Sequence, residues 1–140
     1  MRLPYLALLC AGLAGVLPAL SQAQTAASLI SSGAFQDADR RHQGEGTARF
    51  IVTAEGDVLL LFTDFTVTPG PDLEVWLPEG VVPHTSADVL DGAWLSLGPL
   101  HAPEGDQIYT LPAGPLAQVY TAVVIWCEDF SVLFAVAPMG

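Results

Sequence analysis

The sequence contains no lysine and no asparagine. Without lysine no side-chain amine is available for Schiff-base chemistry, and without asparagine there is no N-glycosylation sequon. Codons for both residues are rich in adenine, so their joint absence points to a GC-rich, bacterial source. Basic charge is scarce altogether: Arg2, Arg40, Arg41 and Arg49 stand against 15 Asp and Glu, for a formal net charge of −11. A surface of that sign repels phosphate backbones and anionic headgroups, which excludes nucleic acid and membrane binding through a basic patch. The carboxylates themselves read as a solvated, solubilising surface.

Cysteine is nearly absent as well, with Cys10 and Cys127 the two in the chain. Cys10 lies in the apolar run Leu3 to Leu20, behind the bulky Leu9 where a lipoprotein signal needs a small residue. That run follows Met1-Arg2 and ends in Ser21-Gln22-Ala23, which places small residues where a signal peptidase reads. Residues 1–23 are therefore expected to be a cleavable secretory signal, with Gln24 first in the exported chain. The expected location is secreted, or periplasmic and cell envelope, with no membrane insertion after cleavage. Loss of Cys10 leaves Cys127 alone and no internal disulfide. The domain must then be held together by its core.

Several motifs are missing. No Gly-x-Ser-x-Gly elbow accompanies the Ser, His and Asp residues, no Cys-x-x-Cys-His is present for covalent haem, and no phosphate-binding glycine loop occurs. Nothing supports a stand-alone enzyme, and no cofactor is specified. His42, His84 and His101 are the histidines, and His42 and His101 with Cys127 are the candidate metal ligands. Their spacing is poor: no histidine follows Cys127, so isolated surface histidines are the simpler reading.

What is present is a series of short β-branched and aromatic runs separated by Gly, Pro and Asp: 47–54, 58–65, 73–77, 107–111, 120–127 and 131–137. With hydrophobic residues at 51% and charged residues at 14%, the chain has the balance of a packed globule. The pattern predicts an all-β fold: a single antiparallel β-sandwich-like domain with short strands and one long loop, from Pro78 to Gly92. Residues 86–90 there are expected to form a helical turn. Glu55-Gly56-Asp57 predicts a hairpin between the first two runs. Residues 24–32 lack periodicity and read as a linker, the domain is expected over 33–137, and 138–140 form a C-terminal tail.

Alternation before Cys127 puts Ala122, Val124 and Trp126 on one face and Val123, Ile125 and Cys127 on the other. Both faces are apolar, so this strand is expected to be central. A two-residue turn at Glu128-Asp129 would pair Cys127 with Phe130, while a three-residue turn would also leave apolar faces, so the register stays open. Cys127 itself is either a small buried hydrophobe or a redox or metal-binding thiol. The adjacent Glu128 and Asp129 disfavour a thiolate.

Several segments in order resemble the DM-thirteen domain, a family regarded as an electron-transfer module and often found beside DOMON domains. They are Gly33-Ala34-Phe35, His42 ahead of Gly46-Thr47-Ala48, Phe62-Thr63-Asp64-Phe65, Gly70-Pro71-Asp72-Leu73 and Leu97-Gly98-Pro99-Leu100. The series continues through 105–112 and closes on Val124-Ile125-Trp126-Cys127 with 130–134. The resemblance implies a β-sandwich-like domain with a redox role centred on the family's cysteine, which falls on Cys127. It also implies that the electron partner is a separate redox protein, since no companion domain is present. The expected function is an exported electron-transfer domain; the alternatives are a non-catalytic binding or structural module of the cell envelope, and a copper or zinc protein if His42 or His101 lies beside Cys127.

Overall fold

The computed structural model describes Gly15, residues 27–113 and residues 117–140. The expected signal peptide, 1–23, and the cleavage site before Gln24 lie outside the described residues, Gly15 excepted. Among the described residues nine strands, one short α-helix and one 3-10 turn occur in the order β1 (Ser28–Ala34), β2 (Gln36–Asp37), β3 (Gly44–Val52), β4 (Val58–Val67), β5 (Leu73–Pro78), α1 (Ser86–Asp91), β6 (Trp94–Pro99), β7 (Gln107–Thr110), the 3-10 turn (Ala117–Val119), β8 (Ala122–Cys127) and β9 (Val132–Pro138). They form two antiparallel sheets, β1-β3-β4-β7 and β2-β9-β8-β5-β6, so the fold is all-β and sandwich-like.

The local causes are those of ordinary β proteins. The β3–β4 hairpin turns at 53–57, where Gly56 has φ +93° and Thr53 binds Asp57 through both its backbone and its hydroxyl. Helix α1 is opened by a capping box in which Thr85 Oγ1 accepts from Asp88 N and the Asp88 carboxylate accepts from Thr85 N. It closes after six residues, within the expected long loop. β8 is central, and all six of its residues are buried.

The structure corrects two sequence expectations and fixes one register that the sequence left open. The linker read over 24–32 is strand from Ser28 onward: β1 is an edge strand held by backbone bonds to β3, with Leu29 exposed, so it carries little of the apolar alternation that marks a half-buried strand. The tail at 138–140 is tied down, since β9 runs to Pro138 and Gly140 exchanges two backbone hydrogen bonds with Ser32. The register left open at Glu128-Asp129 is settled by a longer turn. Four residues, 128–131, separate the strands, Cys127 pairs with Val132 rather than Phe130, and Phe130 is exposed. Ser131 at φ +52° closes that loop, and a register shift between Ile125 and Trp126 makes the offset invisible to counting along the chain.

Two cores result. The main one fills the space between the sheets and holds Phe35, Phe50, Phe62, Phe65, Val123, Ile125, Cys127 and Phe134. The second lies on the outer face of the five-stranded sheet, where Trp76, Val124, Trp126, Leu133 and Val136 are covered by Val89 of α1. Both faces of β8 are therefore buried, each against a different layer.

Candidate functional site

Seven strand ends meet at one end of the sandwich: the starts of β3, β5, β7 and β9 and the ends of β4, β6 and β8. Residues 68–72 cross there from one sheet to the other. The connections are laced together by backbone bonds: Thr68 N donates to Gln43 O at 2.9 Å, Leu100 N to Leu73 O at 2.8 Å, and Glu128 N to Asp72 O at 2.9 Å. The segments 70–73, 97–100 and 124–127 that carried the family resemblance are thereby brought to this end.

Cys127 is the last residue of β8, paired with Leu73 on one side and Val132 on the other. It is a free thiol with 0% of its surface exposed, facing the main core beside Val123 and Ile125. The next three residues, Glu128, Asp129 and Phe130, are exposed, so the sulfur is sealed from solvent yet only one residue from the surface along the chain.

His42 lies in the loop between β2 and β3. The Asp39 carboxylate organises that loop: Oδ1 accepts from Arg41 N and His42 N at 2.7 and 3.0 Å, and Oδ2 meets His42 Nδ1 at 2.8 Å. The other side of the imidazole rests on Phe134, with ring centroids 4.3 Å apart. The His42 side-chain contact, and after it the Arg41 backbone donor, hold the Asp39 carboxyl below its ordinary range. Its charge is therefore favoured by the native loop at pH values above the ordinary aspartate range, and that contribution is lost as pH falls through the lowered native value. In a carboxyl-resolved NMR titration the Asp39 midpoint should fall below 3.8, the ordinary value; a midpoint at or above 3.8 would contradict the loop geometry.

His101 stacks on Tyr109 at 4.2 Å, and its backbone N donates to the Tyr109 hydroxyl at 2.9 Å. That hydroxyl donates to Gln107 Oε1 at 2.6 Å, and Gln107 Nε2 donates to the carbonyls of Ala102 and Gly105 at 2.7 and 3.2 Å. The buried amide is thus satisfied from both ends and pins segment 100–107. Burial raises the Tyr109 pKa, keeping the phenol in its donating form. Both histidines are accordingly engaged in holding loops. Among the described residues no group of three or more His, Cys, Asp or Glu is placed to hold a metal ion, so the copper or zinc reading finds no ligand set here.

Sequence reasoning missed a feature on the other face of the same sheet. Trp94 of β6, Trp76 of β5 and Trp126 of β8 stack in a row, one from each of three adjacent strands, with centroid separations of 4.6 and 5.0 Å and interplanar angles of 7° and 22°. Trp76 Nε1 donates to Glu74 Oε2 at 2.7 Å and Trp126 Nε1 to Glu128 Oε2 at 3.0 Å. The available signal was one tryptophan per strand, but it is readable only once β6 is known to be a strand beside β5. Among the described residues no helix is long and apolar enough to cross a membrane.

The family model described as Electron transfer DM13 matches residues 35–139, which is most of the chain and spans both sheets. No curated protein and no solved structure matches. With its order of motifs, its sandwich and its buried cysteine at the end of β8, the chain belongs to the DM13 electron-transfer family.

Proposed function

We propose that this chain is an exported electron-transfer protein in which Cys127 is the redox-active thiol and a separate redox protein is the partner. The observation that carries the reading is the family match over 35–139, together with the position of Cys127 where the matched segments converge. Burial favours one type of chemistry over another. Thiol–disulfide exchange requires a partner sulfur to reach Sγ, and zero exposure opposes it. Electron exchange needs proximity rather than contact, which a sulfur one residue inside the surface offers. In such an exchange one electron passes between the thiol and the partner's one-electron centre, and its return restores the thiol.

A second reading, the binding or structural module of the envelope, is favoured by one fact: a wholly buried cysteine in an apolar cluster also serves as a small hydrophobe. The readings separate experimentally. In both, iodoacetamide should leave Cys127 unmodified in the native protein and label it in denaturant. In both, Cys127→Ser should cost roughly 1–3 kcal/mol by placing an unpaired hydroxyl in the core, while Cys127→Ala should cost less. Only the electron-transfer reading predicts that Cys127→Ala removes redox activity. Rapid labelling of the native thiol would overturn the sealed site. Export is tested by N-terminal sequencing of protein recovered outside the cytoplasm, which should begin at Gln24.

A further inference from the structure

We propose that the stacked indoles of Trp94, Trp76 and Trp126 form a hopping path for single electrons, with Trp94 as the surface terminal at which a one-electron partner docks. The inference rests on the electron-transfer reading but does not use Cys127. Four observations carry it. The rings overlap face to face at 4.6 and 5.0 Å, whereas Phe35, Phe62 and Phe65 in the main core meet tilted or edge-on, at 39° to 84°. Parallel offset rings give the π overlap that electron exchange between neighbours requires. Burial is graded from Trp94 at 38% exposed through Trp76 at 5% to Trp126 at 0%, so the row leads from the sheet edge to its centre.

The indole N–H groups of the two inner rings both point at carboxylates, Glu74 and Glu128. A negative charge there favours a positive indole radical over the neutral ring. The fourth observation is charge at the outer end. Trp94 follows Asp91 by three residues and pairs with Pro78, next to Glu79, so this edge suits a cationic electron acceptor. Buried indole N–H groups need acceptors in any packed core, so the carboxylates serve both packing and charge; the solvent-facing terminal at Trp94 is the feature that packing alone does not require.

The electron balance is simple. A one-electron acceptor of high potential takes an electron from Trp94, leaving its radical cation. Trp76 refills Trp94, and Trp126 refills Trp76. At Trp126 the Nε1 proton passes along the 3.0 Å hydrogen bond to Glu128 Oε2, leaving a neutral indolyl radical and a protonated carboxyl. No bond between heavy atoms forms or breaks, and one electron with the returning proton restores the ground state.

The test is flash photo-oxidation of the purified protein by a cationic tris(bipyridine)ruthenium complex with an irreversible cobalt(III) quencher, following tryptophan radicals by transient visible absorption. The wild type should show a radical cation that converts to a long-lived neutral radical. Trp94→Phe should lose radical formation, and Trp76→Phe should keep the cation at Trp94 and lose the conversion. Because Trp76 is nearly buried, the exposed Glu128→Gln is the variant that spares the fold; it should retain hopping but lower the yield of the neutral radical, Glu74 remaining as the acceptor on Trp76. A wild-type trace identical to that of Trp76→Phe, or a radical yield indifferent to Trp94→Phe, overturns the path. Either result leaves the Cys127 reading standing, and a silent Cys127 with a working path overturns only the cysteine-centred reading.

Discussion

Replacing Trp126 by alanine is expected to destabilise the domain by about 3–5 kcal/mol, the range for emptying a large buried aromatic site, and to lower Tm by roughly 10–20 °C. Trp126 has no exposed surface, stacks on Trp76 and packs in the layer covered by α1. Its loss opens a cavity, strips Trp76 of one stacking face and leaves the Glu128 carboxylate without its indole donor. Phenylalanine at the same position keeps much of the volume and one aromatic face, so Trp126→Phe should recover more than half of the loss. Thermal denaturation of both variants measures this. A Trp126→Ala protein with unchanged Tm would mean that the outer face of the five-stranded sheet is not packed as described.

The other large effect is expected at Gly46. It lies opposite Asp64 and Phe65 where the β3–β4 register shifts, at φ +106°, and a Cβ there would stand 2.7–2.8 Å from Asp64 O, Phe65 Cα and Thr63 O. Those contacts are backbone, so nothing flexible can move aside. Gly46 also accepts the backbone bond from Phe35 N at 2.9 Å, which seats Phe35 against Phe62 and Phe65. Gly46→Ala should cost roughly 2–4 kcal/mol, backbone strain and clash together. Gly56 is the control: its φ is +93° but a Cβ meets nothing within 4 Å, so Gly56→Ala should cost only about 1–2 kcal/mol. Equal losses at the two glycines would show that the bulge is not tight.

Much of the fold was legible because its central strands are plain in the sequence. Six apolar residues from Ala122 to Cys127, with no polar face, can only be buried on both sides, and Glu55-Gly56-Asp57 can scarcely do anything but turn. The edges were harder. β1 pairs through its backbone while Leu29 faces solvent, and β6 ends in Gly98-Pro99, residues that read as punctuation rather than strand. At the site, alternation grouped Cys127 with Val123 and Ile125 without saying which face meets the main core, and its burial depends on Leu73 arriving from a distant part of the chain. The tryptophan row was illegible for the same reason: its order, β6-β5-β8, follows the sheet and not the sequence.

The histidines show how residue type alone misleads. His42 and His101 are chemically able ligands, yet each is occupied in fastening a loop, one by Asp39 and Phe134 and the other by Tyr109. Their place in the matched segments is explained by geometry at the end of the sandwich. Cys127 at that end packs in the main core with Val123 and Ile125.

The most direct test of the account is voltammetry of the purified wild-type and Cys127→Ala proteins in metal-free buffer, with folding of both verified by their thermal transitions. The account predicts a one-electron thiol response in the wild type that is lost in Cys127→Ala while any indole oxidation is common to both, although the native thiol resists iodoacetamide. Indistinguishable traces from the two folded proteins would contradict it and assign Cys127 to packing alone.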